Sequence, residues 1–130
     1  MPRLRVLLSA RAVLALALAC ALAGCSHVIR VGGSRDLDVA LSEYRVTPDT
    51  VRAYAGTLTI TVRNVGTRTH NLAISVGNFN EAVSPDLMPG ASTTMTVELT
   101  PGKYMMRSTI TDDQALGLWG SLDVVATHRG

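Results

Sequence analysis

An all-β sandwich with Greek-key connections is the fold this sequence predicts, and three observations carry the expectation. From Asp36 onward apolar residues recur with period two, turn residues interrupt them roughly every ten positions, and no stretch of sufficient length holds a helical 3.6 period. Side chains of a strand leave opposite sides of the pleat in turn, so one buried face writes an alternating pattern. Several short strands of this kind, rich in Thr, Val and Ile, bury their apolar faces by packing as two sheets.

The elements follow in order. Leu37, Val39 and Leu41 mark a first strand. Leu58, Ile60 and Val62 alternate with Thr57, Thr59, Thr61 and Arg63 before Asn64-Val65-Gly66 turns the chain. Leu72, Ile74 and Val76 form the next strand and Gly77-Asn78 closes it. Met95, Val97 and Leu99 alternate with Thr94, Thr96 and Glu98 between Pro89-Gly90 and Pro101-Gly102. Tyr104, Met106 and Ser108 then share one face, with Lys103, Met105 and Arg107 on the other, and Leu122, Val124 and Ala126 complete the pattern.

The first 24 residues are expected to be removed. Arg3, Arg5 and Arg11 supply a basic start, and Ala12 to Leu22 supply an apolar run shorter than the roughly 20 residues a permanent span needs. Leu22-Ala23-Gly24-Cys25 is similar to the bacterial lipobox, which implies cleavage before Cys25, a thioether-linked diacylglycerol on its sulfur and usually a further acyl chain such as palmitate. The plainer reading is an ordinary secretory signal cut at a neighbouring bond, with Cys25 left as a free thiol. The domain organisation is then a signal over 1–24, a lipidated Cys and tether over 25–35, and one folded domain over 36–127. The tether reading rests on Gly32-Gly33-Ser34 and the lack of any sustained period.

Cleavage changes the charge balance. The whole chain has 12 Lys+Arg against 10 Asp+Glu, and loss of three arginines leaves a formal −1. No basic stripe for nucleic acid remains. Of the two cysteines Cys20 departs with the signal, so no internal disulfide forms. The implied location is extracytoplasmic, at the membrane through a lipid anchor.

The stretches SEYRVTPDTVRAYAGTLTITVRNVGTRTHNLAI and PGASTTMTVELTPGKY, with LGLWGSLDV near the end, resemble the cupredoxins of the plastocyanin-like, periplasmic branch. The markers are Asn64-Val65-Gly66 leading to His70-Asn71-Leu72, Pro101-Gly102-Lys103-Tyr104, and Gly117, Gly120 and Leu122. The resemblance implies one copper ion at one end of the sandwich, held by two His, one Cys thiolate and usually a weak axial Met. The first His corresponds to His70. Aligned without gaps from Tyr104, the Cys position holds Ser108, the second His position Asp113 and the Met position Leu118. A neutral hydroxyl is a poor substitute for a thiolate, so a type 1 centre is not expected. His70 and Asp113 remain candidate ligands for an altered copper site, and the opposing reading makes His70 a structural residue of the sandwich end. The resemblance also places Asn71 where a side chain ties the ligand-bearing strands, with Thr109 as its partner.

Three further readings concern this end of the molecule. Met88, Met95, Met105 and Met106 raise a thioether site, but Met95 and Met106 fall on apolar strand faces where Met fills core. Ser108, His70 and Asp113 have the residue types of a hydrolytic triad without a nucleophile elbow or an oxyanion hole, so no enzymatic activity is expected. Leu116 and Trp119 are expected to dock a partner protein, as the resemblance implies for residues around the ligand loop of cupredoxins, and the opposing reading folds Trp119 inward to seal the altered site. Together these observations describe a lipid-anchored binding or accessory module of the cell envelope, with a copper-binding or electron-transfer protein that uses His70 as the alternative.

Overall fold

Ten strands and no helix make up the regular structure of residues 27–126, the part of the chain that the computed structural model describes. They are β1 (Ile29–Arg30), β2 (Asp36–Ser42), β3 (Arg45–Thr47), β4 (Thr50–Tyr54), β5 (Gly56–Asn64), β6 (Ala73–Val76), β7 (Phe79–Val83), β8 (Ser92–Leu99), β9 (Gly102–Arg107) and β10 (Trp119–Val125). One sheet runs β1-β4-β10-β9-β6-β7 and the other β3-β2-β5-β8. Sequential strands repeatedly change sheet, as β3 to β4, β5 to β6 and β7 to β8 do, which is the Greek-key winding the alternation predicts.

The alternation is realised residue by residue. Leu37, Val39 and Leu41 of β2 and Leu58, Ile60 and Val62 of β5 are buried, and face Val51, Ile74, Met106, Leu122 and Val124 of the other sheet. Each fully buried Leu or Ile contributes about 1.5–3 kcal/mol. A register slip of one residue in β5 would turn three of them to solvent, so burial itself holds the β2/β5 and β5/β8 pairings in place.

The tether and two strand-end residues need correction. The tether is shorter than 25–35, because β1 pairs in parallel with β4 and Val31 reaches the core. Val28-Ile29-Arg30-Val31 is too brief to show a period, and it becomes a strand only by adding to an edge already present. Arg35 is also engaged, donating from Nε to the Thr57 carbonyl at 2.6 Å and from Nη2 to the Tyr54 carbonyl at 2.7 Å. Strands β3, β4 and β7 were not legible, each being short, and β7 is almost entirely exposed. Val76 and Ala126, expected on buried faces, are exposed at the ends of their strands. The signal segment and Cys25 lie outside the described residues.

Strand β10 lies against β4 in parallel register, and its start is tied down by the Ser121 N–H donating to the Asp49 carbonyl at 2.8 Å. At Gly120 the backbones approach so closely that an added Cβ would stand 2.6 Å from that same carbonyl oxygen. Gly120→Ala is therefore expected to lose about 1–3 kcal/mol through overpacking. Urea unfolding checks this, and an unchanged midpoint would contradict the close approach.

Candidate functional site

Strands β2, β5 and β9 all finish at one end of the sandwich, and the connections that follow them converge there. The turn after β2 carries Glu43 and Tyr44, the segment after β5 carries His70 and Asn71, and the loop after β9 carries Ser108 and Asp113. Asn64, the last residue of β5, sets the path of the second segment. Its buried amide donates to the Arg68 carbonyl at 2.7 Å and to the Leu87 carbonyl at 2.8 Å, while Oδ1 accepts the Gly66 N–H at 2.9 Å. The Asn64-Val65-Gly66 turn is thus held from inside, and His70 pairs its backbone with Leu87 beyond it.

His70 is fully buried and has a carboxylate at each ring nitrogen. Nδ1 lies 2.7 Å from Asp113 Oδ2 and Nε2 lies 2.7 Å from Glu43 Oε1. Each ring nitrogen is thus engaged by a carboxylate oxygen at hydrogen-bond distance. The two acids sit on opposite edges of the ring and do not converge on one point. Among the described residues no group of three or more His, Cys, Asp or Glu side chains is arranged to hold a metal ion.

Glu43 is itself held. Its carboxylate accepts the Thr67 N–H at 2.9 Å and the Arg68 N–H at 2.8 Å. The Thr67 N–H foremost, then His70 and the Arg68 N–H, lower its pKa from 4.5 to about 2, with desolvation working the other way. Gly66 makes room for this group, since a Cβ there would collide with the Glu43 carboxylate.

Asp113 closes the other side. Ser108 donates from Oγ to Asp113 Oδ2 at 2.7 Å, and the Leu118 N–H donates to the Asp113 carbonyl at 2.9 Å. Asn71 and Thr109 form the expected tie, with Asn71 Nδ2 donating to Thr109 Oγ1 at 2.7 Å and Asn71 Oδ1 accepting the Thr109 N–H at 2.8 Å. The three triad residue types therefore meet in an order that suits no hydrolase. Asp113 stands between Ser108 and His70, both ring nitrogens are engaged, and the hydroxyl is buried. Every buried side-chain nitrogen and oxygen among the described residues has a partner.

The remaining candidates separate by exposure. Leu118 is fully buried in the core, whereas Leu116 is 56% and Trp119 51% exposed. Space at the site is filled by Leu118, and Trp119 does not fold inward. Met106 is core, Met95 packs against it, Met105 accepts an N–H from Gln114, and Met88 is exposed, so the methionines have separate environments.

A family model of the cupredoxin-like domain matches residues 12–117. The chain belongs to this cupredoxin-like family. Among solved structures, a reduced auracyanin of the photosynthetic bacterium Roseiflexus castenholzii superposes with a TM-score of 0.67 at 22% identity, over 72% of this chain and 99% of its own. A reduced rusticyanin gives 0.60 at 18% identity, over 74% and 83%. A multicopper oxidase gives 0.58 at 16%, over 70% of this chain and 42% of its own. At such identities the likeness establishes the cupredoxin fold alone. No curated protein matches the sequence.

Sequence reasoning missed Glu43 and the interior role of Asn64. Glu43 is 27 residues from His70 and belongs to no spacing pattern. The one available signal was the glycine at 66, which leaves the space that a side chain would otherwise take.

A carboxyl whose pKa falls from 4.5 unfolded to about 2 folded stabilises the fold fully above about pH 4.5 and loses that contribution as the pH drops towards 2. Glu43→Gln should consequently be less stable than the wild type at pH 7, and the difference should shrink over that interval. Urea midpoints of both proteins from pH 7 to pH 2 check it. A constant gap would mean that the charge of Glu43 does not contribute.

Proposed function

We propose that this protein is an extracytoplasmic lipoprotein whose cupredoxin-like domain has lost the type 1 copper site and serves as a binding or accessory module at the cell envelope. The observation that carries this reading is the His70 clamp. A metal-binding imidazole needs a free ring lone pair, and here both nitrogens face carboxylates at 2.7 Å. Ser108 supplies no thiolate, and Leu118 supplies no sulfur at the axial position. The residues present do not fit a type 1 copper ion.

In place of a coordinated cation, the clamp holds the buried ring between two acids. Buried polar groups of this kind are tolerated when each is hydrogen-bonded, and removal of one partner leaves another unsatisfied. The end of the sandwich is therefore rigid without metal. Rigidity there favours recognition, because Leu116 and Trp119 sit on a loop already ordered by Asp113 and by the Arg107 bond to Gln114 at 3.0 Å. Their exposed apolar surface is the composition of a protein-docking hot spot, and the proposed partner is another protein of the envelope.

Lipidation at Cys25 would hold this surface near its membrane. With β1 beginning at Ile29, three residues separate the anchor from the folded domain, so four residue steps give a reach of at most about 14 Å. Cys25→Ser is expected to move the protein from the membrane fraction to the soluble fraction, and retention of the variant in membranes would overturn the anchor.

The alternative reading, copper binding through His70, draws its support from the family itself, and metal titration separates the two. Calorimetry and metal analysis of the full chain with Cu(I) and Cu(II) are expected to show no stoichiometric site that depends on His70. The double variant Ser108→Cys, Asp113→His should gain copper with an intense visible thiolate band. Tight wild-type binding lost in His70→Ala would establish the alternative, and a folded double variant that takes up no copper would show that the ligand positions are wrongly assigned.

A further inference from the structure

On the outer face of the six-stranded sheet, outside the His70 clamp, is an open cleft of about 540 Å³. Arg107, at the end of β9, and Trp119, at the start of β10, both line it, with Asn80 and Gln114 contributed by neighbouring segments. The two residues are direct cross-strand partners in the β9/β10 register and so project from the same side of the sheet.

The state of Arg107 is unusual. Its guanidinium is half-buried and is held by three neutral oxygens from three separate segments. Nε donates to Ser75 Oγ at 3.1 Å, Nη1 to Gln114 Oε1 at 3.0 Å and Nη2 to Asn80 Oδ1 at 3.0 Å. Neutral acceptors orient the group but leave its charge uncompensated. The ion pairs among the described residues are Arg52 with Asp123 and His70 with Glu43 and Asp113, and Arg107 takes part in none of them. A guanidinium has five N–H donors, and those bonds use three. Arg107 is thus a fixed, partly desolvated cation with donors to spare, beside a flat apolar wall.

We propose that this cleft binds an organic carboxylate carried on a flat apolar body, with the carboxylate on Arg107 and the body against Trp119. An ordered guanidinium loses little freedom on pairing with a planar carboxylate, and its bonds to an anion are stronger than those to a neutral oxygen. The indole face supplies contact area for the remainder of the ligand. The acid among the lining residues, Asp112, is exposed and opposes an anion. This site shares Trp119 with the proposed protein-docking surface but depends on Arg107, which that surface does not use, so the failure of one reading leaves the other open to its own test.

Trp119 is the only tryptophan of the chain, so the intrinsic fluorescence of the full-length protein in detergent reports on the cleft. Titration with benzoate and with N-acetyl-phenylalanine is expected to give saturable changes, and titration with benzamide none. Tighter binding of benzoate identifies a free aromatic acid as the ligand class, and tighter binding of N-acetyl-phenylalanine identifies a peptide C-terminus. Arg107→Gln should weaken either carboxylate roughly tenfold or more. Since that change also frees the loop at Gln114, Asp112→Asn provides a second test. Asn suits the left-handed backbone at φ 68°, and removal of the opposing charge should tighten binding. An equal response to benzamide, no response to either carboxylate, or weaker binding in Asp112→Asn would overturn the proposal.

Discussion

A buried imidazole held between two carboxylates joins three connections that are distant in sequence, and the end of the sandwich is organised around it. Glu43 comes from the turn after β2, His70 from the segment after β5 and Asp113 from the loop after β9. Each acid is fixed in turn by other groups, Glu43 by the Thr67 and Arg68 N–H donors and Asp113 by the Ser108 hydroxyl. Such a network is stable because every polar group in it is satisfied, and in a low-dielectric interior a partly satisfied one would be worse than an apolar filling. The absence of any unpartnered buried side-chain nitrogen or oxygen among the described residues fits that requirement.

The same constraint explains how this end of the sandwich is kept closed by protein side chains. In the proposed reading the clamp does for the loops what coordination would otherwise do. Ser108 and Asp113 bond each other, Leu118 turns into the core, and the Asn71 tie to Thr109 keeps the segments after β5 and β9 together. These residues depend on one another. A hydroxyl at 108 has an acceptor because 113 is acidic, and the acid at 113 is tolerated in the interior because His70 lies 2.7 Å away. On the outer side of this end, Trp119 at the start of β10 stands beside Arg107 at the end of β9 across the strand pair.

Much of the fold was legible in the sequence because a sheet with one buried face repeats at period two, and β2, β5, β8, β9 and β10 are long enough to show it. Strands β1, β3, β4 and β7 span two to five residues and carry no such signal. They are strands because a neighbouring edge offers hydrogen bonds, which is tertiary information. The site was legible to the extent that His70, Ser108, Asp113 and Leu118 occupy positions marked by family resemblance and by counting from Tyr104. Glu43 had no such marker, and its contact with His70 depends on how the β2 and β5 connections come together in space.

The sequence by itself therefore determined the fold class and the alternation of the core, since each of these is a local property of residue type and spacing. Tertiary structure alone decided that His70 has both nitrogens engaged, that Leu118 fills space while Trp119 stays outside, and that Arg107 has no acidic partner among the described residues. Hydrogen-bond partners and exposure arise where distant segments meet, and no local pattern of residues encodes which of them will touch.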